Sequence, residues 1–560
     1  MGRRRKSHGC GITLLVLLFF FILAGGGLGM LYVKKYMPNH ELADKSRIFG
    51  ITGGQVALVL DNEVQDETGI YEDGQVYIPV EWVNEYLNDR FYWDEGEKLL
   101  VYAMPDTIVY ADESAQGEKG PLFKVKPEGM YLSLGVVMNY TDIRTQAFAT
   151  SEIKRVFIDT SWEPYETSVL KKDAQLRVKG GIKSQIVTEA AAGSSVDVLE
   201  TMDTWSRVRS EDGYVGYVEN RKLEGLKQVT PVSSYKAPVY TSIPMDGKVR
   251  LGFHQVTRPE GNATLESYAA NAKGMNVIVP TWFNVVDSNG AYNSLASREY
   301  VDKAHDMGLK VWAMVENVST EESVKNLNTK TLMSSTSTRK KLIEDLMGEA
   351  GTYGFDGFNL DFESLKAEAG PHYVQFIREL SVACRKAGLV LSVDNYVPSS
   401  YSSFYNRREQ GIVADYVIIM GYDEHYAGGE AGSVSSVPYV REGIENTLKE
   451  VPKEKVINAV PFYTRVWTVN DGKTSSKAYG IMDARQWVEE NQVELTWDKL
   501  LGQYYGETVN GSGQQYIWME EEDSMKLKID LIKEFDLAGV ACWKLGFEPS
   551  DIWDIVSEVK

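Results

Sequence analysis

Ten consecutive residues constrain this chain more than any others: Gly354-Phe355-Asp356-Gly357-Phe358-Asn359-Leu360-Asp361-Phe362-Glu363. Phe358, Leu360 and Phe362 alternate with Asn359, Asp361 and Glu363. Side chains alternate faces along a strand, so a strand here has one apolar face and one polar face. Neighbours on one face stand roughly 6–7 Å apart. Carboxylates on the inner face of a buried strand are costly unless they serve a site. In a parallel α/β barrel the outward positions pack under helices, and the C-terminal strand ends carry the chemistry. Glu363 stands at that end.

The surrounding chain fits this frame. From about residue 245, strand and helix patterns alternate, which predicts a parallel α/β architecture. The strand-like runs are Leu251–His254, Asn276–Trp282, Lys310–Val315, the stretch above, Val390–Val393, Tyr416–Met420, Val456–Val460 and Gly539–Trp543. About eight strands close a barrel, and the remaining length matches ~250 residues plus insertions. The expected fold class is therefore α/β, with a (β/α)8 TIM barrel over 245–560. Val374, Ile377, Leu380 and Cys384 recur at helical spacing, so Cys384 reads as core.

Asp356-Gly-x-Asn359-x-Asp361-x-Glu363 resembles the signature of glycoside hydrolase family 18, Asp-Gly-x-Asp-x-Asp-x-Glu. Asn359 departs from the commonest pattern; in this the chain is similar to the branch concerned with bacterial cell-wall and spore-cortex glycans. Met420-Gly-Tyr422-Asp423 resembles the family's Met-x-Tyr-Asp at the end of strand six. Val460-Pro-Phe-Tyr463 is similar to its strand-seven segment, and Trp543 to the tryptophan that floors the cleavage subsite.

The resemblance implies retaining cleavage beside an N-acetylated sugar, in which the sugar's own acetamido oxygen attacks. Glu363 is then the general acid/base. Asp361 accepts the acetamido N–H, and Tyr422 donates to the acetamido oxygen. Trp543 is a platform for the ring, and Asn359 ties Asp361 into the buried network without adding charge. Asp423, Met420, Asp356, Tyr463 and Trp282 complete the candidate substrate contacts. Taken singly, Tyr422 would also suit a core tyrosine and Trp543 barrel filling. An insertion over Thr468–Glu522, rich in Tyr and Trp, suits a wall beside a sugar groove. No metal or organic cofactor is implied.

Three segments precede the barrel. In 1–37, Arg3-Arg4-Arg5-Lys6 is followed by an uncharged, mostly apolar run from Gly11 to Val33. About 20 apolar residues span a bilayer, and the basic flank stays cytoplasmic. The run reads as an uncleaved transmembrane anchor, with the catalytic domain outside the cell membrane. The small residues Ala24-Gly25-Gly26 would suit a cleaved signal peptide instead. In 45–165, Tyr77-Ile-Pro-Val80, Val83 and Tyr86 recur as Tyr131-Leu-Ser-Leu134, Val137 and Tyr140. Strand-like runs, Lys98–Tyr102 and Lys154–Ile158, follow the copies. This region is similar to the copper amine oxidase N-terminal-like domain and reads as a stalk. Copper(II) favours imidazole, and no histidine lies between His40 and His254. In 172–228, short strands carry Trp205-x-x-Val208 and Gly213-x-x-Gly216-Tyr-Val. The pattern resembles bacterial SH3-like domains, which hold wall peptides or pack against a catalytic neighbour. Tyr214 and Tyr217 suit either role.

A net charge of −20 removes the basic footprint that nucleic-acid binding needs. Cys10, Cys384 and Cys542 are too far apart to form a disulfide framework, and no two of the six histidines have zinc-ligand spacing. Two classes of function stay open. One is an outward-facing glycosidase acting on N-acetylglucosamine polymer, with peptidoglycan first and chitin-type oligosaccharide second. The other is a catalytically inactive, lectin-like carbohydrate binder. Retention of both Glu363 and Asp361 favours the enzyme.

Overall fold

The computed structural model describes residues 9–318, 327–511 and 513–560. The chain divides into two compact units. One comprises Met1–Phe91 and Asp112–Ala237, the other Tyr92–Ala111 and Pro238–Lys560.

The first unit opens with a helix over Gly9–Tyr36. Among the described residues no helix is long and apolar enough to cross a membrane. The expected span over Gly11–Val33 has no support among them, and several of its side chains lie outside the described residues. The internal repeat takes physical form. Strand Gln75–Pro79 with helix Val80–Tyr86 is matched by strand Gly129–Ser133 with helix Leu134–Tyr140, and the two strands pair antiparallel. Both belong to a seven-stranded sheet. The strand after the second copy, Arg155–Asp159, lies in that sheet, but the one after the first, Leu99–Ala103, belongs to the second unit.

A second seven-stranded sheet, over Tyr165–Val229, forms the SH3-like domain around Leu170, Leu176, Val196, Val208 and Val218. Tyr214 is packing. It is 8% exposed, and the guanidinium of Arg155 lies 4.1 Å from its ring centroid. Arg209 grips Asp159 at 2.9 Å and Asp197 at 3.0 Å, tying the two sheets of this unit together.

The second unit is a closed barrel of eight parallel strands. They are β1 Val249–His254, β2 Val277–Pro280, β3 Lys310–Glu316, β4 Gly357–Asp361, β5 Val390–Tyr396, β6 Tyr416–Met420, β7 Val456–Pro461 and β8 Gly539–Trp543. Consecutive strands pair in order, and β8 pairs with β1 to close the ring. Alternation sorts their side chains. Val249, Leu251, Phe253, Trp312, Met314 and Ile418 fill the interior. Phe358, Leu360, Phe362, Val393 and Cys384 lie in the layer between strands and helices.

The approach to β4 shows how local sequence sets the barrel. The helix Thr336–Tyr353 is capped at its start by Ser335 and ends on Gly354, whose φ of 73° is left-handed. Gly357 then lets β4 lie close to β5, since a Cβ there would meet Val390 O at 2.5 Å. The insertion begins directly after β7. Its five antiparallel strands run from Tyr463 to Met519 and carry the helix Ile481–Glu490. A three-stranded sheet of Tyr92–Asp94, Leu99–Ala103 and Ile108–Ala111 completes the unit.

Candidate active site

The polar face of β4 points into the barrel mouth. Asn359 is fully buried and donates to Ser392 Oγ at 3.1 Å and Asp394 Oδ1 at 2.9 Å. Asp361, 7% exposed, has an Oδ1 with no hydrogen-bond partner among the described residues. Glu363 stands past the strand end. Its main chain is held from both sides by Asn317, which accepts from Glu363 N at 2.7 Å and donates to Glu363 O at 2.9 Å. Its side chain accepts the hydroxyl of Tyr396 at 2.7 Å.

Other strand ends supply the rest. Tyr422, beyond β6, lies edge to face with Tyr463 at 6.1 Å. Tyr463 donates to Asp423 at 2.6 Å, and Arg465 approaches the same carboxylate at 4.0 Å. Trp543 ends β8 and packs on Phe253 with ring centroids 5.4 Å apart. Met420 ends β6 and is 8% exposed.

Four carboxyls with raised pKa, Glu316, Asp361, Glu363 and Asp394, share this mouth with Asp423. Burial alone favours their neutral forms, and each added negative charge favours them further. The Glu363 carboxyl is raised by burial and by Asp423, against the hydrogen bond from Tyr396. Asp361 is held well above the usual carboxylate range by burial and then by Asp394, Glu363 and Glu316. Asp394 is pushed up to about 8 by burial, against the amide of Asn359. Glu316 is pushed up to about 7 by burial, against Asn284 and with Glu363 adding to the rise. The hydroxyl of Tyr422 is raised by burial and the same carboxylates, so it stays a donor. The arrangement offers a carboxyl with a raised pKa at the rim, a buried acceptor on the same strand face and a hydroxyl donor from a neighbouring strand end.

Glu363, Asp361, Asn359, Tyr422, Asp423, Tyr463, Met420 and Trp543 are thus brought to one mouth. Two candidate residues are not. Asp356 lies at the opposite end of β4, about 20 Å away by strand rise. There it accepts from Lys310 at 2.8 Å, from Val311 N at 2.9 Å and pairs with His305 at 2.7 Å. It staples β3 to β4. Trp282 is 1% exposed in the outer layer, donating to Asn262 at 2.9 Å and packed edge-on against Tyr300. The chain leaves β2 at Pro280, and Trp282 turns outward.

Sequence reasoning passed over Glu316, Asn317, Asp394 and Tyr396. The signal for the last two was present: Ser392, Asp394 and Tyr396 alternate with Val393 and Asn395. The strand runs on through Tyr396 instead of stopping at Val393.

A parallel barrel with an acid, a buried acceptor and an aromatic platform at its C-terminal mouth defines a glycoside hydrolase. Residues 214–548 match Glycosyl hydrolases family 18, and the chain belongs to that family. Residues 176–223 match the Bacterial dipeptidyl-peptidase Sh3 domain. The chain is 26% identical over 298 residues to an uncharacterized glycosylase, YvbX, of Bacillus subtilis, covering 50% of this chain and 84% of that protein. It is 27% identical over 236 residues to the cortical fragment-lytic enzyme of the same organism, covering 40% of this chain and 55% of the relative. It thus spans about half the length of that enzyme. The spore cortex-lytic enzyme SleL of Bacillus cereus shares the fold, with a TM-score of 0.50, 20% identity and coverage of 59% of this chain and 76% of that one. The C-terminal domain of a chitinase from Desulfitobacterium hafniense does so too, with a TM-score of 0.50, 19% identity and coverage of 56% and 98%.

Proposed function

We propose that this hydrolase cleaves β-1,4 linkages beside N-acetylglucosamine in cell-wall peptidoglycan, by a retaining, substrate-assisted route. The observation that carries the reading is Asp361 Oδ1, a buried acceptor without a partner among the described residues, on the same strand face as Glu363. Burying a polar atom unpaired costs free energy unless a ligand pairs it. An acetamido N–H is the donor that would do so. Tyr422 would then hold the acetamido oxygen under the anomeric carbon, with the ring on Trp543. Glu363, its pKa raised by burial, would give a proton to the leaving oxygen and take one from water in the second step. Most retaining enzymes use a second carboxylate as nucleophile; here the substrate would provide it.

Cell-wall glycan is favoured by Asn359 in the signature and by the cortex-lytic relatives. Chitin oligosaccharide is the second reading, supported by likeness to a probable endochitinase of Caenorhabditis elegans at 23% identity. Retention of both Glu363 and Asp361 speaks against a lectin-like role.

The proposal places the enzyme outside the cytoplasm, tethered at its N-terminus. The uncharged run after Arg3-Arg4-Arg5-Lys6 supports this, as does the exposure of Leu14 through Ile22 with no core to cover them. Of the stretch similar to a copper amine oxidase N-terminal-like domain, 45–91 and 112–165 would then be a stalk, Tyr92–Ala111 belonging to the catalytic unit, and the SH3-like domain a spacer or wall-peptide contact. Incubation with purified peptidoglycan and with chitin oligomers, with mass spectrometry of the products, tests the reading. Release of reducing-end N-acetylglucosamine from neither substrate would end it.

A further inference from the structure

Residues Tyr92–Ala111 are sequence neighbours of the N-terminal sheet, yet they belong to the catalytic unit. Ala103 and Pro105 accept from Tyr240 and Arg385, while Tyr92, Asp94 and Glu97 meet at the junction of helix Thr329–Ser334 with helix Thr336–Tyr353. Helix ends leave carbonyls and N–H groups without intrahelical partners. Here Tyr92 donates to Ser334 O at 3.1 Å. Asp94, 2% exposed, accepts from both N and Oγ1 of Thr336 at 2.6 Å. Glu97 accepts from Ser335 Oγ at 2.5 Å, Ser337 N at 2.8 Å and Ser337 Oγ at 2.7 Å. Beneath the junction the ring of Tyr92 covers Arg339 at 4.5 Å, and Arg339 forms a fully buried pair with Glu379.

The other end of the short helix faces the acid. Thr329 Oγ1 accepts from Asn317 Nδ2 at 3.3 Å. That same amide group holds Glu363 N and O at 2.7 and 2.9 Å. The helix between spans six residues, about 9 Å, and joins the two contacts through one short hydrogen-bonded element.

We infer that Tyr92, Asp94 and Glu97 are positioning residues for the active site: by fixing the Ser334–Ser337 junction they set the Thr329–Asn317 contact that holds the main chain of Glu363. The sheet Tyr92–Ala111 is on this view a working part of the hydrolase, although the match to the family begins more than a hundred residues later. The inference rests, for its kinetic consequence, on Glu363 being the acid.

The test uses the full chain with Glu97→Ala, Tyr92→Phe and Glu97→Gln, and with Ile529→Val as a control. The control trims the core under the helix Glu522–Glu534, far along the ring from β4. Amide hydrogen exchange needs no substrate. In Glu97→Ala and Tyr92→Phe, exchange should quicken at Ser334–Lys340 and also at Phe362–Leu365. On N-acetylglucosamine oligomers kcat should fall about 3- to 10-fold with KM within about twofold, since small misplacement of a catalytic group costs rate. The alkaline limb of the kcat–pH profile should shift, because Glu363 moves relative to Tyr396. Glu97→Gln, which keeps one acceptor, should recover part of the loss. Ile529→Val should lower Tm and change none of these. Exchange that quickens at the junction while Phe362–Leu365 stays at wild-type protection would overturn the inference. So would wild-type kcat and pH profile in both Glu97→Ala and Tyr92→Phe. If the wild-type chain hydrolyses nothing, the functional reading fails, and the exchange result still decides the coupling.

Discussion

Tyr396, ending β5, donates its hydroxyl to Oε2 of Glu363 at 2.7 Å, across the gap between adjacent strand ends. The bond favours the charged form of Glu363, while burial and Asp423 favour the neutral form. A general acid must be protonated to act. Tyr396→Phe removes a contact that lowers this carboxyl, so its titration should move up. The alkaline limb of the kcat profile should shift to higher pH. An unchanged or downward-shifted limb would mean that Tyr396 does not govern the protonation of Glu363.

Glu363→Gln should abolish hydrolysis while leaving glycan binding nearly intact. The amide keeps the size and the acceptor toward Tyr396 but cannot cycle a proton. Turnover should drop at least about 10³-fold, near the upper end for loss of acid–base catalysis. Calorimetric titration with a chito-oligosaccharide should give a Kd within a few-fold of wild type. Substantial residual turnover would point to another acid, with Glu316 and Asp394 among the carboxyls of the mouth to examine.

The crowding of acids at the mouth has a consequence for stability. Glu316 titrates near 4.3 when unfolded and is pushed up to about 7 in the native state. The native chain binds that proton more tightly, so the contribution is present at low pH and is lost as pH rises from about 4 through 7. Glu316→Gln removes this dependence. Its Tm should match wild type near pH 4 and exceed it at pH 8, since the neutral amide carries no charge to bury. Scanning calorimetry at the two pH values checks this. A Tm below wild type at pH 8 would show that the charged glutamate stabilises the fold.

Much of this site was legible in the sequence because β4 obeys a strict alternation. Phe358, Leu360 and Phe362 fall outward and Asn359, Asp361 and Glu363 inward, as period two requires. Reading failed where periodicity ends. Trp282 was placed by extending β2 past Pro280, but the break there turns it into the outer layer. Asp356 shares the signature with Glu363 yet sits before the strand, so it meets Lys310 and His305 at the far rim. Asp394 and Tyr396 were passed over because apolar character fades after Val393 while the strand continues. The sequence reads Tyr92–Ala111 as part of the 45–165 stalk, whereas the structure joins it to the second unit. Its strands carry ordinary alternation, and only three-dimensional contacts show which unit they join.

Asp361 and Tyr422 are expected to matter most as charge develops. Asp361 is buried, unpartnered at Oδ1 and surrounded by other acids, while Tyr422 lies under the influence of the same carboxyls. If the acetamido group is the nucleophile, its N–H becomes more acidic as its oxygen attacks, and the acceptor at Asp361 gains strength with it. The hydroxyl of Tyr422 holds that oxygen in line. Asp361→Asn and Tyr422→Phe should therefore each lower kcat by about 10²–10³-fold, the usual loss when one oriented electrostatic contact to a transition state is removed. Both changes nearly conserve side-chain volume, so circular dichroism should stay near wild type, and by the argument made for Glu316 the Tm of Asp361→Asn should be no lower than wild type. Sugars without a 2-acetamido group should not be cleaved, since the nucleophile is missing. Hydrolysis of a plain glucose polymer as fast as of an N-acetylglucosamine polymer would exclude substrate assistance and require a second protein carboxylate, for which Asp423, already ordered by Tyr463, is the nearest candidate at the rim.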